Sequence, residues 1–172
     1  IYRGDKEILE ELSTPLMRYL NYLFSRLDKD GIMEIGLGDW CPPGVKEDEF
    51  KTPLAVTDTI LTYDIAVKSA FVYEVLGQQP QRQFALALAE RVKTAFREKL
   101  LNKETGEIKG GTQTGQAMAI YYGMLTVEEK PKALKLLIKY IADEDGHFYT
   151  GVLGGRVMVR FPVPVLVSPV TS

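Results

Sequence analysis

TPLAVTDTILTYDIAVKSAFVYEVLG, running from Thr52 to Gly77, sets the helical character of the chain. It reads as one long helix. Pro53 sits at a first-turn position, where the missing N–H leaves no hydrogen bond unmade, and Gly77 is the stop. Upstream, Ile8, Leu12, Leu16, Tyr19, Leu23 and Leu27 recur at helical spacing, with Asp5 as candidate N-cap. Pro15 lies inside that segment and predicts a kink or a late start. The helix fades into Asp28-Lys29-Asp30-Gly31, a turn signal. Between the two helices, residues 31–51 carry Gly36, Gly38, Pro42, Pro43 and Gly44 and read as a connection of about 20 residues. Such a length in a compact domain points to a functional or a disordered loop. Trp40, the only tryptophan, argues for an ordered one.

Downstream, Pro80 to Leu101 reads as a third helix, with Phe84, Leu88, Val92, Ala95 and Phe96 on its apolar face. Asn102 to Gly111 is a turn. Thr112 to Leu125 is a fourth helix, in which Gly115 and Ala119, four apart, would let a neighbouring backbone approach closely. Thr126 and Glu129 have capping-box spacing. Pro131 falls too far in for one clean helix, so a short turn and a helix from Pro131 fits equally well. The buried face there is Leu134, Leu137, Ile138 and Ile141, and Asp143 to Gly146 ends it. Thr150 to Arg160 opens a sixth helix. From Phe161 three prolines forbid a helix interior, and the direct reading is an extended apolar tail. Long and short connections thus alternate between helices. A barrel of helical hairpins would show this, and an ordinary bundle would look the same by periodicity. No period repeats in residue identity.

Bulk composition narrows the function. The 172 residues are one domain's worth or a slice of a larger one, with 45% hydrophobic and 26% charged residues, ordinary for a globular protein. A net charge of −2 offers no basic excess for phosphates, so nucleic acid is excluded as the expected partner. No apolar run approaches the roughly 20 residues of a membrane helix. The single cysteine, Cys41, allows no internal disulfide. The chain begins at Ile1 with no signal-peptide pattern, which suggests a piece of a longer protein, and its location cannot be read.

The residues that can carry chemistry are few. In Gly38-Asp39-Trp40 a tryptophan face can cover the C–H face of a sugar ring while a carboxylate accepts its hydroxyls. Equally, Trp40 can anchor the loop and Asp39 can cap something nearby. His147, the only histidine, can donate to a ligand or work in acid–base chemistry, or be structural. It has no Cys or His partner at ligand spacing, so no metal is expected. Gln113, Thr114 and Gln116 either donate to a sugar or cap a helix terminus. Gly151, Gly154 and Gly155 form no dinucleotide fingerprint, since no strand precedes them, and no cofactor motif is present. Glu128-Glu129 and Glu144-Asp145 look like solvated helix ends.

Three motifs, in order, resemble those of bacterial α-L-rhamnosidases. The first is Gly38-Asp39-Trp40 with Cys41-Pro42-Pro43 and the Thr-rich helix that follows (Thr52, Thr57, Thr59, Thr62, Tyr63). The second is Thr112-Gln113-Thr114-Gly115-Gln116-Ala117-Met118-Ala119. The third is Gly146-His147 through Thr150-Gly151-Val152-Leu153-Gly154-Gly155. The resemblance covers about residues 1–160. It implies an all-α fold, part of an (α/α)6 barrel of helical hairpins, with 161–172 a divergent extended tail. It implies inverting hydrolysis of terminal α-L-rhamnosides by a general acid and a general base. Asp39, Trp40 and His147 would be substrate-binding residues for rhamnose-containing glycosides, with Trp40 against the ring. The family's general-acid motif, Asp-Glu-Arg followed by Gly-Trp, and its base-bearing Thr-Thr-x-Trp-Glu do not occur here, so no catalytic residue is expected in this chain and it is expected to be inactive alone. The family continues a helix beyond Arg160, so the tail points to a premature end or a shifted frame. A partial barrel leaves apolar faces uncovered, and a homo-oligomer would cover them. The alternatives are another six-hairpin glycosidase, with Asp39 as its acid, or a non-catalytic helical interaction module.

Overall fold

The computed structural model describes residues 6–44 and 51–161. Six helices follow in order among them: α1 (Glu7–Arg26), α2 (Leu54–Val75), α3 (Gln79–Lys99), α4 (Gln113–Tyr121), α5 (Lys130–Ala142) and α6 (Val152–Met158). The only extended pairing among the described residues is an isolated antiparallel bridge, Leu101 with Ile108, closing the turn between α3 and α4. None of the helices is long and apolar enough to cross a membrane. The expected tail from Pro162 and the candidate cap Asp5 lie outside the described residues.

α2 is the spine. Its first turns are buried on all sides, from Ala55 through Ile60, so no polar stripe survives there. It pairs with α3 as a helical hairpin and also touches α1 and α4, while α4 packs on α5 and α6. Two apolar clusters result. Val56 and Ile60 at the start of α2 join Phe96, Ala117, Met118, Leu137 and Met158. Farther along, Ala66, Ala70 and Tyr73 join Leu20, Leu88 and Val92. Tyr63 packs against both.

Several local expectations change. α1 opens at Glu7 and runs through Pro15 as one element, so the late start does not occur. Tertiary bonds brace that turn: Tyr73 donates to the Ser13 carbonyl (3.0 Å), and the Ser13 hydroxyl bonds Gln78 (2.6 Å). Lys6 precedes α1 and makes no side-chain cap. Only Ser13, Leu20 and Leu23 of α1 are buried, while Ile8, Leu12 and Tyr19 of the predicted face are about half exposed, at 50%, 52% and 44%. α4 stops at Tyr121, short of Leu125, because Gly123 turns left-handed and lets the Met124 amide reach back to Ala119. The capping box closes in both directions between Thr126 and Glu129. The regular helix begins only at Lys130, after a short turn. Glu129 is no solvated end. It is 8% exposed and takes a bidentate pair from Arg97 (2.6 and 2.9 Å), which holds its carboxyl down at about 2.

Candidate functional site: a loop locked on two helix starts

The residues singled out by sequence meet at the start of α4. Thr112 caps the helix by accepting from the Gly115 amide, and its hydroxyl also bonds that of Thr52 just ahead of α2 (2.8 Å). The next residue, Gln113, is 4% exposed and spends its whole amide on the last turn of α5 and the segment that follows it. Its nitrogen donates to the carbonyls of Tyr140 (3.1 Å) and His147 (3.0 Å), and its oxygen accepts from the Tyr149 amide (3.0 Å). Thr114 donates to Asp39. Gln116, fully buried, ties the α3–α4 turn to α5 through the Ile108 amide and the Gly106 and Ala133 carbonyls. These side chains are all engaged within the protein. The motif is a clasp that assembles five other segments around α4.

Asp39 is the other half of the clasp. It is 3% exposed, and both carboxylate oxygens are filled. Oδ2 accepts from Thr114 and from the Gly151 amide (2.7 Å), and Oδ1 accepts from the amides of Leu153 (2.9 Å) and Gly154 (3.0 Å). A carboxylate offers about four lone-pair sites, and here each has a protein donor. α6 has no side-chain cap of its own, so Asp39 supplies one from more than a hundred residues away. The approach demands glycine. A Cβ on Gly151 would lie 2.4 Å from the Trp40 carbonyl oxygen, and one on Gly154 would lie 2.2 Å from the Thr114 hydroxyl. That close approach is the physical role of the Gly151 and Gly154 positions. The carboxylate therefore joins the Thr114 hydroxyl to the amides at the start of α6.

Locking Asp39 aims Trp40 outward. The Val152 amide holds the Trp40 carbonyl (2.9 Å), the flanking Gly38 and Cys41 adopt left-handed backbone (φ 63° and 59°), and the indole is 54% exposed. A non-glycine at positive φ is costly and persists only where its surroundings over-determine it, as the four bonds next door do. The approach to the loop is pinned as well. Asp58 on α2 accepts from the Gly36 amide (2.7 Å), Thr59 accepts from the Met33 amide (3.0 Å), and burial pushes the Asp58 carboxyl above its ordinary range. Asp58 is not among the residues the sequence singles out; its only local signal is a carboxylate set between Thr57 and Thr59. His147 stands exposed after α5, its Nδ1 3.0 Å from the Glu144 carbonyl and its own carbonyl held by Gln113. Among the described residues no group of three or more His, Cys, Asp or Glu side chains is placed to hold a metal ion.

A loop bearing an exposed aromatic residue is clasped onto the starts of α4 and α6 in an array of helical hairpins. Residues 1–163 match the bacterial alpha-L-rhamnosidase six-hairpin glycosidase domain, and the chain belongs to that family. It is 27% identical over 172 residues to an alpha-L-rhamnosidase of Formosa agariphila, covering 91% of this chain and 17% of that protein. The fold superposes on the alpha-L-rhamnosidase of Streptomyces avermitilis complexed with L-rhamnose with a TM-score of 0.78 at 26% identity, covering 95% of this chain and 15% of that one. On the alpha-L-rhamnosidase from Dictyoglumus thermophilum the TM-score is 0.80 at 26% identity, with 90% and 18% covered. The chain is thus a partial (α/α)6 barrel spanning less than a fifth of the length of these relatives.

Proposed function

We propose that this chain is part of the barrel of an α-L-rhamnosidase-like glycoside hydrolase, in which residues 1–160 supply one wall of the rhamnose subsite and none of the catalytic carboxylates. The observation that carries this is the exposed Trp40 ring on a loop locked from beneath. A flat apolar face held open to solvent suits the C–H face of a sugar, and fixing it in advance removes ordering cost from binding. Asp39 acts as a positioning residue for that ring, and exposed His147 is a second subsite contact by way of its imidazole. Inverting hydrolysis needs an acid on the leaving oxygen and a base on a water across the ring. Asp39 is unsuited to either, because its oxygens already hold four donors. In the parent enzyme both groups come from other parts of the barrel.

The reading is tested by incubating the chain with an aryl α-L-rhamnoside. No release of the phenol above the buffer rate is expected. Turnover that disappears in a folded Asp39→Asn variant would instead support a six-hairpin glycosidase whose acid lies in this chain. We also propose that the apolar residues exposed on α1 (Leu12, Tyr19) and α2 (Val67, Phe71, Val75) are covered by association between copies when the chain is alone.

A further inference from the structure

Gln113 and Thr114 are consecutive, so their side chains leave the first turn of α4 about 100° apart. Thr114 reaches the Asp39 joint, while Gln113 reaches a second feature: an open cleft of about 410 Å³ between the turn before α4 and the end of α5. Small-molecule sites span roughly 300–1,000 Å³. The two features are neighbours. The segment that ends at the Asp39 joint with Gly151 contributes Tyr149 to the cleft, and the Tyr149 hydroxyl lies against Gly44 of the Trp40 loop, 2.8 Å from where a Cβ would be.

We propose that this cleft is a second saccharide subsite, taking the neutral sugar ring that carries the rhamnose; this rests on reading Trp40 as the rhamnose contact. The lining suits that ligand. Tyr140 and Tyr149 present aromatic rings, Asp143 and Glu144 present carboxylates that accept hydroxyls, and Lys51 supplies a donor. Asp143 is paired with Lys139 and Glu144 with Lys51, so each of these lysines already faces a carboxylate, which disfavours phosphate or uronate. Lys51 lies 3.7 Å from Glu144 and 3.7 Å from the Tyr149 ring centroid, and its side chain is 42% exposed. An ion pair that exposed contributes little, so the ammonium can turn to a hydroxyl at small cost. The Tyr140 hydroxyl donates to Glu107 (2.6 Å), which fixes that ring, and burial followed by that bond pushes its phenol up to about 12. The ring therefore stays neutral where it lines the cleft.

The test uses this chain with selectively labelled tyrosine and tryptophan, titrated by NMR. The ligands are L-rhamnose, D-glucose, and α-L-rhamnosyl-(1→2)-, (1→4)- and (1→6)-D-glucose. The proposal expects L-rhamnose to move Trp40 alone, and at least one disaccharide to move Trp40, Tyr140 and Tyr149 together. That disaccharide should bind about tenfold more tightly than L-rhamnose. Glu144→Gln, a change at an exposed side chain that leaves the fold intact, should remove most of that advantage while L-rhamnose binding holds. Tyrosine signals that stay still for every saccharide at high millimolar concentration overturn the cleft, as does a disaccharide advantage unchanged in Glu144→Gln. Trp40 responding while Tyr149 is silent overturns the cleft alone. Tyr149 responding while Trp40 is silent overturns the rhamnose reading and leaves a saccharide cleft standing.

Discussion

Replacing Asp39 with asparagine separates a strut from a sugar contact. The asparagine keeps one oxygen and its two donors, but turns an NH2 toward the other two. If the nitrogen falls at Oδ1 it faces the Leu153 and Gly154 amides, and if at Oδ2 it faces the Gly151 amide while the Thr114 hydroxyl turns to accept from it. At least one bond to a charged acceptor is lost, worth about 1.5–3 kcal/mol, in a site too buried for water to replace it. The expected loss is therefore at least about 1.5–3 kcal/mol, a large share of a domain's usual 5–15 kcal/mol. With a urea m-value of about 2 kcal/mol/M, the midpoint followed by circular dichroism at 222 nm falls by at least about 0.7–1.5 M. Trp40→Ala is the matched control, because its ring is half exposed, and it should shift stability by no more than about 1 kcal/mol. A shift under about 0.5 M for Asp39→Asn, with m unchanged, would refute the strut and return the carboxylate to the list of ligand contacts.

Gly154→Ala places a Cβ on the Thr114 hydroxyl and should cost about 1–3 kcal/mol in the same melt, with Thr114→Ser in the double variant recovering little, since the hydroxyl itself is the obstacle. Glu129 and Asp58 give pH dependences of opposite sign. The folded pKa of Glu129, about 2, lies below its ordinary 4.5, so its contribution is fully present above about pH 4.5 and is lost as pH falls through about 2. Arg97→Met should flatten that acid limb, worth roughly 3 kcal/mol. The folded pKa of Asp58 is raised, so ionising it opposes folding, and stability should fall as pH climbs from its ordinary 3.8 through the raised value. Asp58→Asn should remove that decline while keeping an acceptor for Gly36. In light scattering at micromolar concentration the chain should run as a dimer or larger, and a monodisperse monomer would contradict association through the exposed apolar residues of α1 and α2.

The helices were legible because their signals are local. Pro53 and Gly77 bracket α2, and the Thr126–Glu129 box opens the α5 hairpin. Their ends were less so: α4 stops at Tyr121 because Gly123 turns the chain, and an apolar pattern running on to Leu125 cannot register that. The Gly38-Asp39-Trp40 loop was visible as a site, but not the division of labour within it. That depends on Gly151 to Gly154 arriving from more than a hundred residues away, a contact with no local trace. The same holds for Gln113 and Gln116, whose partners lie in other segments, and for Glu129, whose partner Arg97 sits on α3. α1 shows the converse. Its apolar spacing is clear, yet half of that face stands in solvent, as a slice of a barrel requires.

The most direct test is a titration of L-rhamnose against the intrinsic fluorescence of Trp40, the single tryptophan, with D-glucose as control. L-rhamnose should produce a saturable change that D-glucose does not reproduce and that Trp40→Phe abolishes. A spectrum unmoved by L-rhamnose at high millimolar concentration, in a chain folded by circular dichroism, would contradict a rhamnose contact at Trp40 and leave the clasped loop a purely structural part of the barrel.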